Sequence, residues 1–465
     1  MVANYIVVID IETSRLIGMA GRKNEDGRIS VLAVEEEKAG GSIRRGNIYH
    51  KEEAAGLIKR LVEKLQNRIS GELPDYRIRK VYVGVGGQSL RSIDHTELKS
   101  LSLGATVTKS DLQVLDEQCR AYRPELDDVV GIAPPVYYVD GKRVEQAEGL
   151  PATYIEARYK QITGRPSIRT CVMDCVQRAG LQLAGLIVSP LALAEATLGR
   201  EEKEAGCALI GFHTGVTSVA VYRHSELVHL SVIPLGAGLI IGDLVKTLKL
   251  QEQDAEWLKR SYGLSLAEKE KSNGYPQGAI AINGQEVEPR RLNAVIEGRV
   301  KEIVENVHEC VRLSGDIASL GAGIVLAGNE SNLKELPELL RQRFKLEITS
   351  ATIRQERMEE NERRLGHPNY MTAIGLLIQG TENCLQYIAP PDPEPVVVPK
   401  QDEPEIKPPP SPDGRTRNPR PANPPKGKSG LGRFIDRIRQ QSEDLFSDKD
   451  FYREDEGTQK SKNDE

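Results

Sequence analysis

The feature that most restricts the fold of this chain is a strand–turn–strand pattern that occurs twice. Val7–Gly18 reads VVIDIETSRLIG, and Cys207–Tyr222 reads CALIGFHTGVTSVAVY. In both segments two apolar runs flank a short turn of small and polar residues, which is typical of a buried β-hairpin. The copies begin about 200 residues apart in a chain of 465 residues, long enough for two or three domains. The pattern indicates weak internal duplication, although two unrelated hairpins would explain this pair of segments equally well.

Strands and helices alternate through most of the chain, which predicts an α/β fold. The apolar residues of Glu52–Ile69 recur on one helical face, and the KVYVG run at Lys80–Gly84 has the composition of a strand. Gly323–Phe344 contains a third motif, a buried strand followed by a Gly-Asn-Glu turn and a helix. Small residues after a strand let a ligand approach the backbone, and a helix N-terminus adds partial positive charge.

Composition excludes several functional classes. The net charge is −5 with a pI near 6.0, so no overall positive field favours nucleic acid, and we expect no such partner. The six cysteines are scattered, and only Cys171 and Cys175 lie close together, in CVMDC. Because no second pair of ligands follows, this spacing favours one face of a helix over a metal site. Scattered cysteines of this kind are typical of a protein in a reducing compartment. The most apolar run, Val232–Gly242, is far shorter than the roughly 20 residues that a membrane span needs.

The composition changes abruptly near residue 388. Fourteen of the 26 prolines lie between Pro390 and Pro425, which predicts a disordered linker over residues 387–429. Residues 430–446 then read GLGRFIDRIRQQSEDLF, with apolar residues on one helical face beside basic ones. The residues of this predicted membrane-binding face are Leu431, Arg433, Phe434, Ile435, Arg437, Ile438, Arg439, Leu445 and Phe446.

Such a helix is typical of the surface of an anionic bilayer. The alternative is a helix that docks on a partner protein. The tail at 447–465 favours that alternative, because nine acidic residues oppose four basic ones between Glu443 and Glu465. If the helix binds a membrane only weakly, self-association would strengthen the attachment through avidity.

The three loops, in this order and spacing, resemble those of the actin-like ATPase superfamily. Further segments narrow the resemblance to the FtsA family of bacterial cell division proteins. These segments are SIRRGNIY (Ser42–Tyr49), KVYVGVGGQSLRSI (Lys80–Ile93), CVQRAGLQLAGLIVSPLALAEATL (Cys175–Leu198), VIPLGAGLIIGDL (Val232–Leu244), AEWLKRSYG (Ala255–Gly263) and NYMTAIGLLIQG (Asn369–Gly380).

The resemblance implies an actin-like, ribonuclease H-like fold of two domains. Residues 1–84, 164–198 and 360–386 would form the core of the first domain, and 85–163 an inserted subdomain particular to FtsA. Within the insertion, the Asp-Gly turn of VYYVDGKRVEQ predicts a β-hairpin. Residues 199–359 would form the second domain, with a smaller subdomain at about 240–320.

The resemblance also implies a site for ATP and Mg²⁺ between the domains, with Asp10 near the metal. The residues implied to bind the nucleotide are Asp10, Thr13, Ser14, Gly215, Thr217, Gly236, Glu256, Lys259, Gly328 and Asn329.

Several loop residues depart from the family pattern. Glu12 replaces a glycine, and Gly211 replaces an aspartate. The other replacements are His213, Thr214, Val216, Asn329 and Glu330. A side chain in place of glycine adds bulk where backbone N–H groups would approach phosphate, and a carboxylate there repels it. We therefore expect weak or absent hydrolysis, and whether ATP binds stays open at this point.

The function implied by the resemblance is to tether FtsZ filaments to the inner face of the cytoplasmic membrane at the division septum. The protein would also self-associate through its actin-like body and recruit other division proteins through its inserted subdomain. It would contact FtsZ around residues 240–320. Three alternatives stay open: an actin-like scaffold of a pilus or secretion system, a working actin-like ATPase, and a regulatory FtsA paralogue.

Overall fold

The computed structural model describes residues 4–102, 104–271, 275–276, 278–359 and 366–389. The predicted linker, the predicted amphipathic helix and the acidic tail lie outside these residues, apart from the first three positions of the linker.

The first sheet contains the first hairpin. Its elements and those around it are β1 Asn4–Ile11, β2 Arg15–Lys23, β3 Ile29–Lys38, β4 Ile43–Arg44, β5 Asn47–Ile48, α1 Lys51–Ile69, β6 Tyr76–Ile78 and β7 Lys80–Val85. A strand from later in the chain, β13 (Gln182–Val188), completes this sheet in the order β13–β7–β1–β2–β3. β1 is antiparallel to β2 and parallel to β7, so the hairpin turn and the carboxyl end of β7 lie at one edge.

An inserted segment follows β7. It contains β8 Arg91–Ser100, α2 Lys109–Ala121, β9 Asp128–Ile132, β10 Val136–Val139, β11 Lys142–Val144 and β12 Tyr154–Gly164. The predicted Asp-Gly hairpin is confirmed, because Asp140 and Gly141 both have positive φ between β10 and β11. Leu115, Cys119 and Ile155 belong to a small core of this segment, so it has packing of its own.

The chain then returns to the first sheet, which is the core of the first lobe, and crosses into a second lobe that is built around a second sheet. The elements are α3 Ser167–Arg178, β13 Gln182–Val188, α4 Ser189–Thr197, α5 Arg200–Ala205, β14 Cys207–Phe212, β15 Thr217–Arg223, β16 Glu226–Ile233, α6 Gly238–Leu248, α7 Glu252–Tyr262, β17 Ile280–Ile282, β18 Gln285–Val287, α8 Pro289–Leu313, β19 Ile324–Ala327, α9 Leu336–Phe344, β20 Ile348–Ser350, α10 Met371–Gln379 and β21 Leu385–Tyr387.

The two lobes repeat one sheet topology. In the first lobe β13, β7 and β1 are parallel, and β2 and β3 continue as antiparallel neighbours. In the second lobe β20, β19 and β14 are parallel, and β15 and β16 continue in the same way. The hairpins therefore occupy equivalent positions, and internal duplication, rather than two unrelated hairpins, explains the sequence pattern.

Helices cover both faces of the first sheet. A side chain added at Gly18 of β2 would meet Leu61 and Leu65 of α1, and one added at Gly21 would meet Leu377 of α10. Because successive residues of a strand point to opposite faces, α1 and α10 lie on opposite sides of the sheet. This layered arrangement confirms the predicted α/β class.

Candidate functional site

The turns of the two hairpins touch each other. Thr13, in the turn between β1 and β2, lies against Gly215 so closely that a Cβ at Gly215 would overlap its hydroxyl oxygen. The backbone N–H of Gly46 donates a hydrogen bond of 2.9 Å to the same oxygen. Thr13 thus joins the turn of the second lobe to two segments of the first, and Gly215 is required because no side chain fits there.

The third loop follows β19 and completes the site. Gly328 has φ near +101° and lies against the carbonyl of Phe212, which only glycine tolerates without strain. The next residue, Asn329, donates hydrogen bonds through its side-chain nitrogen to Glu12 Oε2 at 3.1 Å and to Thr214 Oγ1 at 3.3 Å. The three loops predicted from sequence therefore meet at one place.

Two buried acids stand in the first hairpin. Asp10 Oδ1 accepts a hydrogen bond of 3.1 Å from Ser189, and Glu12 Oε2 accepts one of 2.9 Å from Arg15 Nε. Burial raises the pKa of Asp10 to about 6. Burial, reinforced by the nearby Asp10 charge, raises the pKa of Glu12 to about 8 against the opposing effect of Arg15. Both acids are therefore held in surroundings that favour their neutral forms.

The basic groups near these loops already have protein partners. Arg15 Nη1 donates to Glu36 Oε2 at 3.1 Å, and Lys259 Nζ donates to Glu330 Oε2 at 2.8 Å. The lysine is only 3% exposed. The cation that the resemblance assigns to a nucleotide is thus paired with a carboxylate of the third loop.

A histidine fills the position where the family pattern predicts an acid. A Cβ at Gly211 would overlap Ser218 Oγ and lie 2.9 Å from His213 Nε2. Burial lowers the pKa of His213 to about 4, so its ring is neutral at neutral pH. An aspartate at position 211 would clash with Ser218 and with the His213 ring. Restoring it would therefore require a smaller residue at 213 as well.

The remaining predicted residues have structural surroundings. Thr217 donates to the carbonyl of Leu235 at 2.7 Å, and a Cβ at Gly236 would lie 2.5 Å from the carbonyl oxygen of His213. The Ser14 carbonyl accepts a hydrogen bond of 3.0 Å from the Ala39 N–H. Glu256 pairs with Arg260 one turn further along α7, at 2.6 Å, rather than with any of the three loops.

The space between the hairpins is small. A cavity of about 40 Å³ is lined by both turns, including Asp10, Glu12, Thr13, His213 and Thr214. This volume holds one or a few water molecules, and a triphosphate is many times larger. In this arrangement the residues present do not fit Mg²⁺ and ATP between the turns.

Sequence reasoning missed three of the groups that organise the site: Arg15, Glu36 and Ser189. Arg15 follows Glu12 by three residues across a tight turn, and Glu36 lies in β3, which pairs with β2. A charged pair at the turn and an acid on the adjacent strand are signals that could have found the first two. Ser189, at the start of α4, has no such signal because its contact with Asp10 spans 179 residues.

The described residues contain neither a metal-binding cluster nor a membrane-spanning helix. Within those ranges no group of three or more His, Cys, Asp and Glu side chains is arranged to hold a metal ion. In the same part of the chain, no helix combines the length and apolarity needed to cross a bilayer.

Comparison with solved structures identifies the class of this protein. The structure of a PilM-PilN type IV pilus biogenesis complex covers 81% of this chain, which in turn spans 98% of that one, with a TM-score of 0.53 at 17% sequence identity. A likeness at this identity concerns the fold alone. Together with the duplicated sheets and their facing hairpin loops, it shows the actin-like fold that the sequence predicted.

Sequence comparison gives the family. The model for "Cell division protein FtsA" matches residues 208–375. The FtsA of Porphyromonas gingivalis is 32% identical over 385 residues, which are 82% of this chain and 79% of that protein. The FtsA of Neisseria meningitidis is 28% identical over 378 residues, 80% of this chain and 89% of that protein. The chain belongs to the FtsA family of cell division proteins, which confirms the resemblance.

The buried acids predict a specific pH dependence of stability. Because the pKa of Glu12 is raised to about 8, the folded state holds this proton more tightly than the unfolded chain, and the resulting stability is lost as the pH rises through 8. Asp10, with a pKa of about 6, acts in the same direction at lower pH. His213, with a pKa lowered to about 4, acts in the opposite direction below pH 6.5.

Between pH 7.5 and 8.5 Glu12 accounts for nearly all of the change in protonation among these three groups, because Asp10 and His213 are then almost fully deprotonated in both the folded and the unfolded chain. We expect the free energy of unfolding to fall across this window by at most about 1.4 kcal/mol per pH unit. Glu12→Gln should flatten the slope, because glutamine does not titrate. Urea unfolding of both proteins at several pH values in the presence of EDTA measures the difference. Equal slopes in the two proteins would contradict the prediction.

Proposed function

We propose that this protein is a membrane adaptor for FtsZ filaments at the division septum, on the cytoplasmic side of the membrane. The observation that carries the proposal is the FtsA relationship, with 32% identity across 82% of the chain. The sequence of residues 430–446 supports it, because its basic amphipathic pattern is typical of helices that lie on anionic bilayers. A Pro-rich linker before that helix would let an anchored body reach filaments some distance from the membrane.

The proposed FtsZ contact lies on the smaller subdomain around residues 240–320. In this region α6, α7 and α8 pack together around a core that includes Leu244, Leu258 and Ile296. Arg299 of α8 makes a two-pronged ion pair with Asp243 of α6, through Nε at 2.6 Å and Nη2 at 3.1 Å. This packing holds the helices in fixed relation, which suits a recognition surface for a repeating partner.

The inserted segment is the proposed contact for other division proteins, and the actin-like body is the proposed site of self-association. The inserted segment has its own core and three exposed large hydrophobic side chains, Leu98 at 57%, Tyr122 at 42% and Leu126 at 85%. Leu98 lies in β8, whereas Tyr122 and Leu126 lie in the loop between α2 and β9. Exposed hydrophobic side chains of this kind suit contact with a protein partner. An ATPase role has less support, because Gly211 offers no carboxylate to position water and the His213 ring fills that space.

The test is reconstitution of the tether. The purified full chain is mixed with vesicles that contain phosphatidylglycerol and with FtsZ polymerised by GTP, and the mixture is sedimented under conditions in which FtsZ alone stays in the supernatant. We expect FtsZ to enter the vesicle pellet only when the protein is present. Neutral phosphatidylcholine vesicles are the matched control. Binding of the protein to vesicles without recruitment of FtsZ would overturn the proposal.

A further inference from the structure

We infer that the Glu12 carboxyl group is a built-in replacement for the phosphate of a nucleotide, and that it latches the two lobes together across the cleft. Such a latch would act within the actin-like body and is separate from the proposed tethering of FtsZ. The residues between the hairpins do not fit Mg²⁺ and ATP in this arrangement, so another group must hold the lobes together there.

Glu12 is the side chain that reaches all three loops. It extends from the first hairpin to Asn329 of the third loop, with Oε2 at 3.1 Å from the amide nitrogen. Its other oxygen lies 3.9 Å from His213 Nδ1 in the second hairpin. The residue is 9% exposed. A single buried carboxyl group is therefore hydrogen-bonded to the third loop and lies beside the second hairpin, in the space between the lobes where a bound nucleotide would place its phosphates.

The two cations beside the site, Arg15 and Lys259, are paired with carboxylates of the protein itself. Arg15 donates to Glu12 at 2.9 Å and to Glu36 at 3.1 Å, so Glu36 of the same lobe supplies the counter-charge of Arg15. In the second lobe Glu330 neutralises Lys259 at 2.8 Å. A phosphate entering this site would meet an acid in its path and would have to compete for both cations.

Steric contacts between the loops also oppose the entry of a phosphate. The Thr13 side chain lies directly on Gly215, so a side chain of the first hairpin packs on the backbone of the second where a phosphate would separate them. Asn329 also bonds to Thr214 at 3.3 Å, which orders the third loop against the second hairpin. Three of the residues that differ from the family pattern, Glu12, Thr214 and Asn329, are thus joined through the Asn329 amide nitrogen. These three substitutions therefore act together as a replacement for the nucleotide contact, rather than as three independent losses of nucleotide-binding residues.

The consequence is an actin-like body whose closure does not depend on nucleotide. In the native protein the latch would keep the lobes together at any ATP concentration, so the assembly of this protein would not be timed by binding or hydrolysis. Mg²⁺ and ATP would bind only if the latch opened. Replacing Glu12 with glycine, the residue of the family pattern, should therefore convert the body into one that needs nucleotide for closure.

The experiment measures thermal unfolding and nucleotide binding of the full chain. Wild type should show the same melting temperature with and without millimolar Mg²⁺–ATP, and weak binding of a fluorescent ATP analogue. Glu12→Gly should melt several degrees lower without nucleotide, should recover when Mg²⁺–ATP is added, and should bind the analogue at least tenfold more tightly. Glu25→Gly, the same change at an exposed turn of the same sheet, should behave as wild type.

A second variant keeps the inference testable if Glu12→Gly does not fold. Asn329→Ala removes the other end of the latch and should lower the melting temperature as well, while the double variant with Glu12→Gln should lose little more than Asn329→Ala alone, because the two residues act as a pair. Additive losses would overturn the inference. So would an unchanged melting temperature in Glu12→Gly, or a wild type stabilised by Mg²⁺–ATP as much as that variant. Neither readout involves FtsZ or vesicles, so failure here leaves the tether proposal to its own test.

Discussion

Removal of residues Lys426–Glu465 is expected to abolish binding to anionic vesicles while leaving the folded body intact. The removed segment contains the predicted amphipathic helix, and from Lys426 to Arg439 it carries five basic residues against one acidic residue. Each basic residue near an anionic surface contributes about 1 kcal/mol, and the buried apolar face adds about 25 cal/mol per Å². Loss of both contributions should lower the vesicle affinity more than 100-fold. Sedimentation with phosphatidylglycerol vesicles measures it.

A pair of point variants separates the apolar face from the charge. Phe434→Asp places a carboxylate on the predicted apolar face, where it must stay in water, and should release nearly all of the protein. Gln440→Asp makes the same change of charge on the opposite face of the helix and should cost only a small part of the binding. Equal losses in the two variants would mean that the segment binds by charge alone, and unchanged pelleting of the truncated chain would refute the anchor.

The hairpins were predictable because burial leaves a clear pattern in the sequence. Buried strands such as Ile6–Ile9 of β1 and Leu209–Phe212 of β14 are continuous apolar runs, and small polar residues mark the turns. The family resemblance then supplied the order of the elements. Sequence could not show that the sheet of the inserted segment joins that of the second lobe, because the link is a single residue pair, Arg91 with Ser231.

The role of Glu12 was the main point that sequence reasoning could not reach. From sequence, Glu12 is a negative charge beside a phosphate, and its expected effect is repulsion. In the structure the same carboxyl is bonded to Arg15 and Asn329, which lie 3 and 317 residues away. A residue's electrostatic effect depends on its partners as much as on its own charge, and the partner in the third loop becomes visible only when the chain is folded.

A clash between two helices should make Gly375→Ala one of the most destabilising small substitutions in the body. Gly375 lies in α10, whose residues Met371–Ile378 are all buried. A Cβ there would overlap the carbonyl group of Ala192 in α4. Backbone atoms cannot rotate away, so the helices must separate, and we expect a cost of about 3 kcal/mol or more. The gain in helix propensity of about 1 kcal/mol is too small to offset it. Urea unfolding measures the change.

Gly298→Ala is the matched control, because Gly298 lies in the interior of α8, is exposed, and has no atom within 4 Å of an added Cβ. It should stabilise the protein by up to about 1 kcal/mol.

The destabilisation expected of Gly375→Ala matters for the candidate site as well as for the fold. Helix α4 begins at Ser189, which bonds to Asp10 in the first hairpin, so a shift of α4 away from α10 would move the hydroxyl that holds this buried acid. If Gly375→Ala instead unfolds at the urea concentration of wild type, the two helices are not in backbone contact, and Asp10 is held more loosely than its hydrogen bond indicates.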